Sequence, residues 1–103
     1  MVTSTANTAR ERFARHAAQW KAESVHMSNV AQMALLKSYQ SIIGMGDAAV
    51  PLLLEELQRE PDNWFWALEA ITLENPVPDE ANGRIDEMAR AWVEWGRARG
   101  YIA

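Results

Sequence analysis

The run Asp47-Ala48-Ala49-Val50-Pro51-Leu52-Leu53-Leu54-Glu55-Glu56-Leu57 decides the fold class. Wound at about 100° per residue, Val50, Leu53, Leu54 and Leu57 share one arc, while Glu55, Glu56, Arg59 and Glu60 lie on the other. That is an amphipathic helix with one packed face. Asp47 suits its N-cap, and Pro51 falls in the first turn, where a missing N–H costs little. Leu52 is the exception: it lies on the polar side, near Arg59.

Upstream, the Gly44 and Gly46 pair ends a preceding helix. Leu35, Leu36, Tyr39, Ile42 and Ile43 share its apolar face, whereas Val30, Met33 and Ala34 lie on roughly the opposite one. One continuous helix cannot bury both, so the spacing predicts a break near Ala34, a short turn before it and a helix from about Leu35 to Met45. Further back, Thr8 and Glu11 form a T-x-x-E capping box, which predicts a helix start there and leaves residues 1–7 outside the folded part. Its packed arc carries Ala9, Phe13, Ala17 and Trp20, with His16 at the edge.

Downstream, Pro61 and Asp62 stop one helix and cap another, Asn63 to Thr72, which is apolar nearly all round. Trp64, Leu68 and Ile71 form one face, Phe65, Trp66 and Ala70 continue it, and Glu69 is the only charge. Trp66 points about 160° away from Leu68. Such a helix is buried on several sides or docks something. Glu74 to Gly83, with Pro76 and Pro78, reads as a loop, and Asn82 as the cap of a last helix ending at Gly100. Ile85, Met88, Ala89, Trp92, Trp95 and Gly96 line its inward arc. No strand pattern occurs.

The expected fold is therefore all-α, about five helices in one domain over residues 1–103. With 49% hydrophobic and 23% charged residues and five tryptophans, the chain has apolar area enough for one core without staples. There is no cysteine, which excludes disulfides, thiolate metal sites and cysteine nucleophiles. The longest apolar run, Ala48 to Leu54, is far short of the roughly 20 residues that span a bilayer. The start lacks the basic and apolar segments of a signal peptide, so the expected compartment is the cytoplasm.

Charge is segregated along the chain. Twelve acids stand against three bases between Asp47 and Glu94, whereas the remainder holds seven bases and two acids. An acidic body of this kind disfavours a phosphate-binding surface and steers a cationic partner toward it. Arg10, Arg12 and Arg15 lie near Phe13 and Trp20, but those aromatics are on the packed face and the isoelectric point is near 5.1, so nucleic acid is not the expected partner.

Catalytic chemistry finds no footing. Glu23-x-x-His26 has the spacing of half a di-iron site, yet only one copy exists, so no metal or cofactor is expected. Neither His16 nor the serines and threonines have a matching catalytic context, there is no glycine-rich phosphate loop, and the adjacent Glu55 and Glu56 diverge by about 100°.

Tyr39 to Gly46 followed by Ala49-Val50-Pro51-Leu52-Leu53-Leu54-Glu55-Glu56-Leu57 resembles the HEAT repeat: a short helix, a glycine turn, then an Ala-Val-Pro-Leu-Leu helix start. The resemblance covers about Leu35 to Thr72. It implies a short right-handed stack of helix pairs with an extra N-terminal helix, and a scaffold for protein contact. Trp64-Phe65-Trp66-Ala67-Leu68, Asn75-Pro76-Val77-Pro78 and Trp92-Val93-Glu94-Trp95-Gly96 are also similar to segments of small bacterial helical proteins, a likeness that implies no activity. The expected function is a small antitoxin-, inhibitor- or adaptor-type protein that binds a basic protein partner through Leu52, Glu55, Glu56, Glu60, Phe65 and Trp66. A homodimeric structural subunit is the alternative, and an enzyme with an unrecognised helical site the third reading.

Overall fold

The computed structural model describes residues 5–103, with side chains from Thr8 onward. Among the described residues every regular element is helical: α1 (Thr5–Ser24), α2 (Val30–Ala34), α3 (Lys37–Gly44), α4 (Val50–Arg59), α5 (Phe65–Thr72) and α6 (Ile85–Arg99), with 3₁₀ turns at Gly46–Ala49 and Asp79–Ala81. The sixth helix is α2, a short helix where the sequence suggested only a turn. Asn29 makes it a helix, its side-chain oxygen accepting the Gln32 N–H at 3.2 Å.

α1 packs on α3, and α3 on α5; α4 packs on α6 and touches α5. The 3₁₀ turn Gly46–Ala49 joins these two rows, contacting α1, α3, α4 and α5. Gly46 there has φ +69°, a left-handed conformation that glycine adopts without a Cβ penalty. One contiguous apolar core runs through both rows, and the Cα radius of gyration is 13.4 Å, close to the ~13 Å of a compact body of 100 residues.

The first row is held by aromatic rings. Trp64 lies 4.4 Å from Trp20, 5.6 Å from Tyr39 in a stacked pair, and 6.0 Å from Phe13 between centroids. Trp20 donates its indole N–H to the Met33 carbonyl at 2.9 Å, which ties α1 to α2. The Tyr39 hydroxyl donates to the Asn63 carbonyl and accepts the Ala67 N–H, each at 3.0 Å. α5 has no side-chain cap of its own, so this hydroxyl, reaching over from α3, satisfies one of its orphan donors. Burial pushes the Tyr39 hydroxyl far above its ordinary pKa, outweighing the opposite pull of the backbone N–H groups, and so keeps it protonated and able to donate.

Several sequence expectations fail at helix ends. α1 begins at Thr5, three residues before the anticipated capping box, so Thr8 and Glu11 lie inside it. Of the stretch expected to be unstructured, residues 1–4 lie outside the described residues and 5–7 belong to the helix. Asp47 does not cap α4; its carboxylate accepts the Tyr101 hydroxyl at 2.7 Å and ties the 3₁₀ turn to the residues after α6. Asp62 accepts its neighbour Asn63's N–H, and Trp64 takes the N-cap place of α5. Asn82 ends the second 3₁₀ turn, leaving Arg84 before α6. Leu35, assigned to a buried face, is the C-cap of α2 and 73% exposed, because α3 starts only at Lys37. Gly100 does end α6 in the left-handed C-cap conformation, and Pro51 does sit in the first turn of α4.

Candidate functional site

The residues singled out from the sequence separate into two groups with different fates. Leu52, Glu55, Glu56 and Arg59 recur at i, i+3, i+4 and i+7, one stripe of α4 beside α1, on which Leu52 and Glu56 are buried, Glu55 is half-exposed and Arg59 is exposed. Leu52 is 6% exposed. Beside it runs a cavity of about 400 Å³ lined by Phe13, Ala14, Ala17 and Ala18 together with Arg10 and Lys21.

Ion pairs bridge this seam. Arg10 meets Glu55 at 2.7 Å, and Lys21 meets Glu56 at 2.8 Å and Glu60 at 3.3 Å; within α4 itself Arg59 meets Glu56 at 2.7 Å. Of the acids expected to greet a basic partner, Glu56 is buried against the chain's own Lys21 and Arg59, whereas Glu55 and Glu60 are held only by pairs in which their own side chains stay 44% and 60% exposed. Glu56, assigned to a solvated face, is 8% exposed. Its burial opposes ionisation, but hydrogen bonds from Arg59 and Lys21 outweigh that and hold its carboxyl below the ordinary range. Burial likewise opposes charge on Lys21, and Glu56 with Glu60 reverses it, raising its pKa.

A depressed carboxyl pKa contributes stability that is complete above the ordinary glutamate value of 4.5 and is lost as pH falls through the lowered value. We expect Glu56→Gln to cost about 1–2 kcal/mol at neutral pH. The gap between parent and variant in urea titrations should close as pH is lowered below that window. A gap that persisted unchanged in strong acid would mean that charge is not what Glu56 contributes.

Phe65 is buried in the core, so it offers nothing to a partner. Trp66 is different: 49% of it is exposed. Trp66, Glu69, Ala70 and Leu73 recur at i, i+3, i+4 and i+7, and all four are exposed, so α5 carries an outward stripe of two large apolar side chains flanking one acid. Leu73 is the C-cap of α5, at φ 60° and ψ 27°, and donates its N–H to the Glu69 carbonyl at 2.8 Å. A left-handed leucine carries a Cβ clash that glycine lacks and that asparagine offsets with local hydrogen bonds, and this one is 86% exposed. The helical pattern of the sequence stops at Thr72, one residue short of Leu73, so nothing in the spacing marks this side chain.

A second concavity, about 600 Å³ and open, lies between the Pro76–Ala81 segment and α6. Pro76, Pro78, Ala81, Ala91 and Trp95 supply its apolar lining and Glu80, Glu87, Arg90 and Glu94 its charges. The loop beside it is ordered by its own bonds: Thr72 Oγ1 accepts the Glu74 N–H at 3.2 Å, and Asn75 Oδ1 accepts the Val77 N–H at 3.0 Å.

Comparison with protein-family models, curated proteins and solved structures returns no match. The site's own chemistry therefore carries the functional argument. Glu23, half of the Glu23-x-x-His26 pair, accepts hydrogen bonds from Ser38 at 3.0 Å and Gln19 at 3.3 Å. Among the described residues no three His, Asp or Glu side chains gather as metal ligands, and no helix is long and apolar enough to cross a membrane. Among the described residues Glu69, Asp79, Glu80, Asp86 and Glu94 make no ion pair. Glu11, Glu23, Asp47 and Asp62 are also outside every ion pair among the described residues, so five of the nine unpaired acids lie on α5, α6 and the loop between them.

Proposed function

We propose that the chain is a protein-interaction module of the antitoxin, inhibitor or adaptor kind, which binds a basic protein through the outward side of α5 and the unpaired acids around α6. The observation that carries the reading is the Trp66–Glu69–Ala70–Leu73 stripe. A free chain gains nothing from a leucine held left-handed and open to water; a partner that covers it recovers the area. Tryptophan beside unpaired carboxylates is the composition of an anchor with a charged surround, and steering by the field of such acids raises association rates with a cationic partner. The two rows α1–α3–α5 and α4–α6 also support a HEAT-like stack of helix pairs, an architecture that presents helix faces to partners.

The test is a quantitative pull-down from the source organism's extract with parent and Trp66→Glu, Leu73→Asp proteins. Trp66 is half-exposed and Leu73 exposed, so neither substitution removes a fully buried side chain, and circular dichroism should show both proteins folded. The parent is expected to retain a protein that elutes with salt and that the variant loses. Equal retention by both would remove the α5 stripe as the binding face. Concentration-dependent size, abolished by the same substitutions, would instead favour a homodimer.

A further inference from the structure

We propose that the groove between the Pro76–Ala81 segment and α6 receives an extended, arginine- or lysine-bearing segment of the partner protein. The inference rests on the protein-binding reading above, but it uses a surface that shares no residue with the Trp66 stripe.

The groove's form favours a chain over a compact ligand. It is open, walled by Pro76 and Pro78 on one side and by Ala91 and Trp95 on the other. Trp95 is fixed before anything binds. Its indole N–H donates to Glu74 at 3.4 Å, its ring meets Trp92 edge-on at 5.1 Å, and it stacks on Tyr101 at 5.4 Å. Glu74 is itself held by Arg99 at 2.7 Å. The Arg99 guanidinium also lies over the Trp95 ring, 5.2 Å from its centroid; what remains exposed of this fixed ring loses no rotamer freedom on binding, and the methylene stems of arginine or lysine pack along such an apolar edge.

Charge then selects the occupant. Glu80 and Glu94 line the groove without an ion pair, and Glu87 is engaged only by the exposed Arg84 at 3.1 Å. An exposed pair of that kind is weak, so Glu87 can exchange it for an incoming cation. Arg90 is the one opposing charge in the lining. Glu87 and Glu94 are seven residues apart on α6, hence two turns and about 10 Å along one face, with Arg90 between them. A polyproline-type segment carries every third side chain on one face at about 9 Å spacing. Basic residues three apart therefore reach Glu87 and Glu94 together while the residues between them pass Arg90. An acidic segment would meet three carboxylates.

The probe is fluorescein-labelled Arg-Pro-Pro-Arg-Pro-Pro-Arg, followed by fluorescence polarisation against the full chain, with Glu-Pro-Pro-Glu-Pro-Pro-Glu as its acidic counterpart. Saturable, salt-sensitive binding of the basic peptide alone is expected, weakened about tenfold or more by Glu80→Gln, Glu94→Gln. Asp86→Asn, Asp79→Asn removes the same charge outside the lining and should change affinity less than about twofold. Equal loss in both double variants would reduce the effect to non-specific attraction and overturn the groove. So would absence of binding, or loss caused by Trp66→Glu alone. Those results leave the pull-down reading standing, whereas failure of the pull-down with groove-specific peptide binding would remove the α5 stripe and keep the groove.

Discussion

Replacing Trp64 by alanine is expected to lower the unfolding free energy by about 3–5 kcal/mol, a large share of the ~5–15 kcal/mol that holds a domain of this size together. The cost is high because of where the ring sits. Trp64 is fully buried at the N-cap of α5, and its indole touches Phe13 and Trp20 of α1 and Tyr39 of α3. Its removal leaves a void that three rigid aromatic rings cannot collapse into, so cavity and transfer penalties add. α1 would feel it most, since Phe13 and Trp20 are its largest buried side chains. Urea titration followed by far-ultraviolet circular dichroism measures the loss, and Trp66→Ala is the contrast: half exposed, it should cost well under half as much. A loss below about 1.5 kcal/mol for Trp64→Ala would show that the ring cluster does not carry the first row.

The same tryptophans show how far the sequence can be read. Helical period puts Trp20, Trp64, Trp92 and Trp95 on inward arcs; the first three are buried and Trp95 is half-buried. A change of phase in the apolar positions predicts the break near Ala34, and α2 and α3 are separate helices. What a helical wheel cannot supply is the number of neighbours a helix acquires. α4 has one apolar arc, yet it is covered on a second side by α1, and Leu52 and Glu56 go under with it. The signal lies in the segregation of basic and acidic residues, since Arg10 and Lys21 are the cations that α4's carboxylates meet. For Glu56 the nearer partners Lys21 and Arg59 take the carboxylate, while Glu55 and Glu60 keep much of their side chains exposed. Helix ends are misplaced for a related reason: a capping side chain such as Asp47 is free to take a bond 54 residues away, and local spacing does not reveal the competitor.

Gly96 tests the contact between the two helices of the second row, and its expected sign depends on two opposed effects. Glycine inside a helix costs about 1 kcal/mol relative to alanine, so Gly96→Ala alone, on an isolated α6, would stabilise. A Cβ built at Gly96 comes to 2.4 Å from Leu54 Cδ1 and 3.4 Å from its Cγ. Leu54 is fully buried on α4, packed within the core. Overpacking of this kind costs about 1–3 kcal/mol; Gly96→Ala should therefore destabilise by about 1–2 kcal/mol net. The decisive measurement is a double-mutant cycle with Leu54→Ala, which by itself should cost about 2–5 kcal/mol. Once the leucine is trimmed the clash is gone, and adding Gly96→Ala should raise stability by about 1 kcal/mol from helix propensity and partial filling of the void. The effect of one methyl group thus changes sign with the residue across from it, a coupling of about 2–3 kcal/mol. If Gly96→Ala has the same effect in both backgrounds, α6 does not approach α4 through this glycine.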